Sequence, residues 1–251
     1  MTRVKISIIT VSYNSAKTIR ETITSVLSQD YPNIEYIIVD GLSTDNTCDI
    51  VKSFGTKISR FISEKDKGLY DAMNKGIALA TGDIVGIINS DDIYAHNKVI
   101  SQVISKFEQK NIDVVYGDLY YFKTGFPDRA LRYYRGGLFS LRRVRYGLMP
   151  PHPTFFIKKS VYDKFGKFDT NYTLSADFDL ILRFLGVHKV PFEYVPEVLV
   201  KMRTGGKSTS SLKRTLIMNQ EDLDSCRSYG IKTNLFKFYL KYVFKIFHIL
   251  K

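Results

Sequence analysis

An α/β fold built on a Rossmann-like, mostly parallel sheet flanked by helices is what this sequence predicts, and three observations predict it. Runs of β-branched residues alternate with amphipathic stretches of helical period from residue 5 to residue 109. Several of those runs empty into polar turns that carry aspartate, with Asp40, Asp66 and Asp91 at three such ends. A chain of 251 residues, 44% of them hydrophobic, is also long enough to fill one sizeable core.

The first strand covers residues 5–12 and gives way to the turn Tyr13-Asn14-Ser15. A helix follows whose Ile19, Ile23, Val26 and Leu27 share one face, and Pro32 and Asn33 end the unit. The second strand, residues 34–39, delivers Asp40 into a polar turn that opens a helix reaching Phe54. A third, residues 58–63, leads through Asp66 and Gly68 into a helix over 69–80 that packs Tyr70, Met73, Ile77 and Ala80 inward, with Gly82 ending it. The run from Asp83 to Ile88 reads as a buried central strand, and it discharges Asn89-Ser90-Asp91-Asp92 at its carboxyl end, where ligands of open α/β sheets bind. Adjacent carboxylates there either hold a divalent cation or cap the helix that begins near Asn97, and the residues alone leave both open.

A helix over 99–109 and a strand pair over 114–122 come next. The pattern then dissolves into a loop-rich stretch, 123–151, that interleaves Arg129, Arg132, Arg135, Arg142, Arg143 and Arg145 with Tyr133, Tyr134, Phe139 and Tyr146. Such a stretch is either a solvated cover or a contact for phosphate, and Arg142 and Arg143 are its acceptor candidates. His152, held between Pro151 and Pro153, is a candidate substrate contact or simply orients the turn into a strand over 154–157. A short helix near 159–165 follows. Asp177 and Asp179 open another that reaches Leu185; two apart, they point to different sides, so Asp177 can face a cleft while Asp179 pairs with Arg183. A final strand covers 192–200, and residues 203–208 form a flexible loop whose glycines lack any phosphate-loop pattern.

Beyond this unit, residues 1–210, lies a helical tail, 211–251. From Leu235 to its end at Lys251 the tail is mostly large apolar residues spaced by Lys237, Lys241, Lys245 and Lys251, as expected of a helix lying on a membrane surface. The alternative is a helix docked on the domain, or on a second copy in a homodimer. The net charge of +12 calls for an anionic partner, whether nucleic acid, membrane or a phosphorylated small molecule. Two cysteines, Cys48 and Cys226, exclude a disulfide framework, and with no apolar leader or bilayer-length run the expected location is cytoplasmic, peripheral on the inner face of the membrane.

Taken together, residues 8–14, 37–45, 82–92 and 176–180 resemble, in order and spacing, the inverting family 2 glycosyltransferases of GT-A fold. The run from Ser63 to Gly76 looks like the branch that builds bacterial exopolysaccharide and O-antigen units. The resemblance implies a nucleotide-sugar donor, a UDP-sugar, with Asp40 on the uracil, Thr10, Val11 and Tyr13 lining the nucleotide pocket and Asp66 near base or ribose. It implies Asp91 as ligand of a divalent metal, Mn2+ or Mg2+, with Asn89, Ser90 and Asp92 beside it, and Asp177 as general base. The sequence departs from the family's acidic motif at Asn89, where the first aspartate usually stands. The branch and the tail together imply a lipid-linked oligosaccharide as acceptor.

Two other enzyme classes fit less well. A nucleotidyltransferase or a dinucleotide dehydrogenase needs a glycine-rich turn after the first strand, and Tyr13-Asn14-Ser15-Ala16 is not one. A basic membrane- or nucleic-acid-binding module without catalysis explains the arginines and the tail, but not the acids at successive strand ends, so no nucleic acid is expected among the partners.

Overall fold

The computed structural model describes residues 3–205 and 212–241. Its centre is β1 (Ile6–Ser12), every residue of which is buried, as in a strand covered on both faces. It pairs in parallel with β2 (Ile34–Asp40) on one side and β4 (Ile84–Asn89) on the other, and β2 pairs in parallel with β3 (Arg60–Ser63). The intervening helices are α1 (Ile19–Leu27), α2 (Thr47–Lys52) and α3 (Leu69–Leu79). This half of the sheet is the expected βα repeat.

Past β4 the sheet changes character. After β5 (Ile93–Tyr94) and α4 (Val99–Gln109), β6 (Val114–Lys123) turns back as β7 (Phe126–Tyr134), and β8 (Phe156–Lys158) wedges antiparallel between β4 and β6. The final strand, β9 (Phe192–Arg203), runs parallel to β6 and pairs antiparallel with β5. The resulting order is β3-β2-β1-β4-β8-β6-β9-β5, with β7 on β6. Period-two alternation sends Ile6 and Ile8 into one core with α1 and α4, and Ile9 and Val11 into the other with α3 and the later helices.

The stretch read as loops, 123–151, instead holds β7, with Arg129 and Arg132 on it, and the short α5 (Leu141–Val144). Pro127, the arginines and register shifts between Tyr121 and Lys123 hide the strand in the sequence, and an edge strand tolerates all three. The prolines likewise delay the next strand: residues 152–154 form one tight 3-10 turn and pairing begins only at Phe156. After α6 (Lys159–Phe165), α7 (Ala176–Ile181) passes into a π-helical turn over Leu182–Val187. The Asp179–Arg183 pair forms as expected, at 3.5 Å.

The tail departs most from expectation. Following α8 (Leu212–Ser228), residues 235–241 are helical, and their inner face is docked: Phe238 is fully buried edge-on to Phe178 of α7, in a cluster with Val144, Leu182, Leu223 and Cys226. Lys241 does not share a solvent-facing stripe with Lys237; it is buried and pairs with Asp222 at 3.2 Å. Lys245 and Lys251 lie outside the described residues. Among the described residues no helix is long and apolar enough to cross a membrane.

Gly82 closes the α3–β4 connection for a reason other than helix capping. Its amide donates to Ser7 Oγ at 2.9 Å, and a Cβ there would lie 2.7 Å from the Ser7 amide and 2.9 Å from the Lys5 carbonyl. Neither backbone group can yield. Gly82→Ala is therefore expected to cost about 1–3 kcal/mol, lowering Tm by several degrees in a calorimetric or CD melt.

Candidate active site

Parallel pairing sets the site at one edge of the sheet. Ser12 at the end of β1 stands opposite Asp40 of β2, and Val11 opposite Asn89 of β4, so the turns after these three strands emerge together. Asp40 is fully buried, and its carboxylate accepts from the hydroxyls of Ser12 (3.0 Å), Ser43 and Ser63 (2.8 Å), the Ser43 amide (2.8 Å) and the Cys48 thiol (3.3 Å). Burial pushes this acid up, but the bonds from Ser43, Ser63 and Cys48 outweigh it and hold it below the usual carboxylate range. Asn14, in the left-handed conformation at φ 51°, accepts from the Thr44 amide through Oδ1 (2.8 Å) and donates its own amide to Ser43 Oγ (2.8 Å). Ser15 bonds Ser90 at 2.8 Å, tying the first turn to the third. Asp66 packs on Gly41, where a Cβ would meet its Oδ2 at 2.3 Å, and it accepts from the Gly68 amide at 2.9 Å. Gly68 takes φ 129°, which glycine allows, and α3 starts immediately after it.

From the first turn of α3, the Tyr70 hydroxyl donates to Asp177 Oδ1 at 3.1 Å. This bond links α7 to α3, which starts beside the strand ends. Asp177 also accepts from the Phe178 amide at 2.9 Å, yet burial dominates and pushes its carboxyl up to about 6. A carboxylate poised there can take a proton near neutral pH.

Residues 7–166 match the model of glycosyl transferase family 2. The chain belongs to that family. It is 34% identical over 218 residues to an uncharacterized glycosyltransferase of Rickettsia typhi, a match covering 82% of this chain and 66% of the relative. A PGL/p-HBAD biosynthesis glycosyltransferase of Mycobacterium bovis is 30% identical over 70% of this chain and 68% of its own. In fold the chain is similar to S. aureus TarS 1–349 in complex with UDP-GlcNAc, with a TM-score of 0.68 at 18% identity, covering 91% of this chain and 68% of that one. It is similar also to the mannosyltransferase PcManGT of Pyrobaculum calidifontis in complex with GDP-Man and Mn2+, with a TM-score of 0.65 at 16% identity, over 93% and 66% of the two chains. The GT-A fold is thereby shown, with its curled mixed sheet between helical layers.

In this family 2 chain, several residues expected at the donor face inward instead. Thr10 is fully buried with its hydroxyl 3.0 Å from that of Tyr36, and Val11 sits in the core; of the expected lining only Tyr13, at the turn, is exposed. Asp92 is fully buried, accepting from the Asn89 amide (3.1 Å) and the Arg203 backbone amide (3.1 Å); burial and the Asp91 charge both push it up. Asp92 therefore braces the turn. Arg203, which sequence reasoning missed, bonds the Asp91 carbonyl at 3.2 Å and Glu21 at 2.6 Å, with its guanidinium over Phe122. Its position just ahead of a glycine pair was the only signal. His152 is buried edge-on to Phe168, and burial drives it down to about 4, so it is neutral. Arg143 donates to the carbonyls of Gly136 and Leu138, while Arg142 and Tyr146 line a groove with it.

Asp91 remains half-buried at the edge, and Asn89 Oδ1 is a buried oxygen without a protein partner. Among the described residues no group of three acids, histidines or cysteines could cage an ion. One carboxylate plus one orphaned amide oxygen nevertheless suits Mg2+ or Mn2+, which take few protein ligands and complete their shell with substrate phosphates and water.

Because the Tyr70 bond favours ionised Asp177, Tyr70→Phe is expected to raise the Asp177 midpoint above about 6. Titration of the Asp177 carboxyl carbon by NMR reads this directly.

Proposed function

We propose that the protein is an inverting glycosyltransferase that moves a sugar from a UDP-sugar to a hydroxyl of a lipid-linked oligosaccharide in bacterial surface polysaccharide synthesis. The carrying observation is Asp177: a half-buried carboxylate with a raised proton affinity, tied through Tyr70 to the strand ends where a nucleotide would lie. The family and the donors held by TarS and PcManGT support a nucleotide sugar.

In this reading the acceptor hydroxyl attacks the anomeric carbon while Asp177 removes its proton, and the bond to the nucleoside diphosphate breaks on the opposite face, inverting the centre. Tyr70 keeps the carboxylate oriented. Asp91 and Asn89 would hold the divalent cation, which when bound supplies charge neutralisation for the departing diphosphate. The polar lattice of Asp40, Ser43 and Asn14 shapes the nucleotide side, and any base contact by Asp40 must displace one of its present donors.

The name of the mycobacterial relative supports a glycolipid-type acceptor. The outer face of the C-terminal helices supports contact with a membrane: Leu216, Ile217, Leu235, Phe236 and Tyr239 are exposed, Phe236 at 72%. This apolar face, rather than the lysine stripe, is the surface that would meet lipid.

Two measurements test the reading. A screen of nucleotide sugars is expected to find a UDP-sugar hydrolysed slowly with Mn2+ or Mg2+, rising with pH through about 6; Asp177→Asn should lower that rate about 10²–10⁴-fold and leave UDP affinity unchanged. Retained turnover in that variant removes Asp177 from the chemistry. For the membrane, the double variant Leu235→Ser, Phe236→Ser should lose co-sedimentation with anionic vesicles while keeping its Tm. Equal sedimentation of variant and wild type excludes this face.

A further inference from the structure

We propose that Glu221 of α8 is the positioning residue for Asp177, gripping the backbone that leads into α7 and setting the charge environment of the base. This rests on Asp177 being the base in the function proposed above. Three consecutive amides ahead of α7 donate to the one carboxylate: Thr173 at 2.9 Å to Oε1, and Leu174 at 2.8 Å and Ser175 at 2.9 Å to Oε2. Helix α7 has no side-chain cap of its own, because the Ser175 hydroxyl donates to the Met218 carbonyl at 3.1 Å. The N-cap amide of a helix needs an acceptor from outside it, and here a residue 46 positions away supplies one while fixing the two residues before it.

The grip is stiff because α8 is itself pinned. Ser225 donates to Asp179 Oδ1 at 3.0 Å, two residues beyond Asp177, and Asp222 pairs with the buried Lys241. Phe238 closes the same joint against Phe178, the residue next to Asp177. The described end of the chain therefore braces the base, although the family match ends at residue 166.

A neutral acceptor would satisfy these amides equally well. A carboxylate adds a negative charge, and that charge favours the protonated form of Asp177. The other groups facing Asp177 are Tyr70 from α3, Tyr134 from β7 and Asp222 from α8, the last offset by Lys241, with Asp179 on its own helix paired to Arg183. Among the described residues, Glu221 is thus the acid on a neighbouring element whose oxygens are engaged by backbone amides rather than by a cation.

Glu221→Gln keeps the shape and removes the charge; Glu221→Asp keeps the charge and shortens the reach. In the full chain, NMR titration of the Asp177 carboxyl carbon should give a midpoint in the Gln variant lower than wild type by about half a unit or more, and in the Asp variant close to wild type. UDP affinity with Mn2+ should stay within about twofold in both, and turnover of the UDP-sugar should keep its donor KM while its acidic limb follows the Asp177 midpoint. An unchanged midpoint in the Gln variant, or equal shifts in both, overturns the proposal. Should neither variant fold, the wild type still decides: the Thr173, Leu174 and Ser175 amides should be protected from hydrogen exchange as firmly as those of α7, and fast exchange of all three overturns the proposal as well. Turnover surviving Asp177→Asn instead defeats the base reading and leaves the coupling standing, so the two failures are distinguishable.

Discussion

One buried carboxylate organises the edge on which the site is built. Asp40 gathers donors from the end of β1, from its own turn, from α2 and from the end of β3, so the turns of neighbouring strands are locked together by a single group. Strand pairing alone sets the register of β1 and β2 but leaves their turns undefined. Removing this acid would strand the buried Ser12 hydroxyl, worth about 1–3 kcal/mol when left unmade, and leave the part-buried donors of Ser43, Cys48 and Ser63 to water. Its bonds hold it below the ordinary carboxylate range, so its stabilisation is present above the unfolded value of 3.8 and is lost as pH falls through the folded one. The arrangement has a counterpart at the other end of β1, where Glu35 accepts from Ser7, Thr81 and Lys5 and is drawn down to about 2 despite its burial.

Against this background the acids of the chain separate by how many donors each receives. Asp40, with five, stays ionised. Asp92, equally buried but with two amide donors and Asp91 as a neighbour, is pushed toward its neutral form and braces the turn. Asp177 lies between these, with two donors set against burial and the Glu221 charge. Identical side chains thus take different protonation states from their surroundings.

Much of this was legible in the sequence, and the limits are physical. Strands β1, β2 and β4 declare themselves because central parallel strands need unbroken apolar runs, and their acids follow from where such strands end. That Asp177 and Asp179 point to different sides follows from helical geometry, and Asp179 pairs with Arg183 as that spacing expects. By contrast, β7 is an edge strand, free to carry Pro127 and arginines, so its alternation is diluted. Which acid in Asn89-Ser90-Asp91-Asp92 faces outward is decided by Arg203, 111 positions from Asp92, which no local pattern contains. Glu221 is illegible for the same reason, lying on a helix whose sequence shows only ordinary polarity.

The C-terminal helix shows what periodicity can and cannot convey. Lysines at steps of four were expected to mark a wet face, yet Lys241 is buried and the large residues divide between two apolar surfaces, one under Phe238 and one around Phe236. A buried lysine is costly unless paired, and Asp222 meets that need only if the helix docks in this register. Asp222 is the residue next to Glu221, so the ion pair that seats the helix also seats the carboxylate gripping the strap before α7. Docking residues 235–241 and fixing the strap before α7 are then one packing event, and the outer apolar surface is what remains once the inner one has been used.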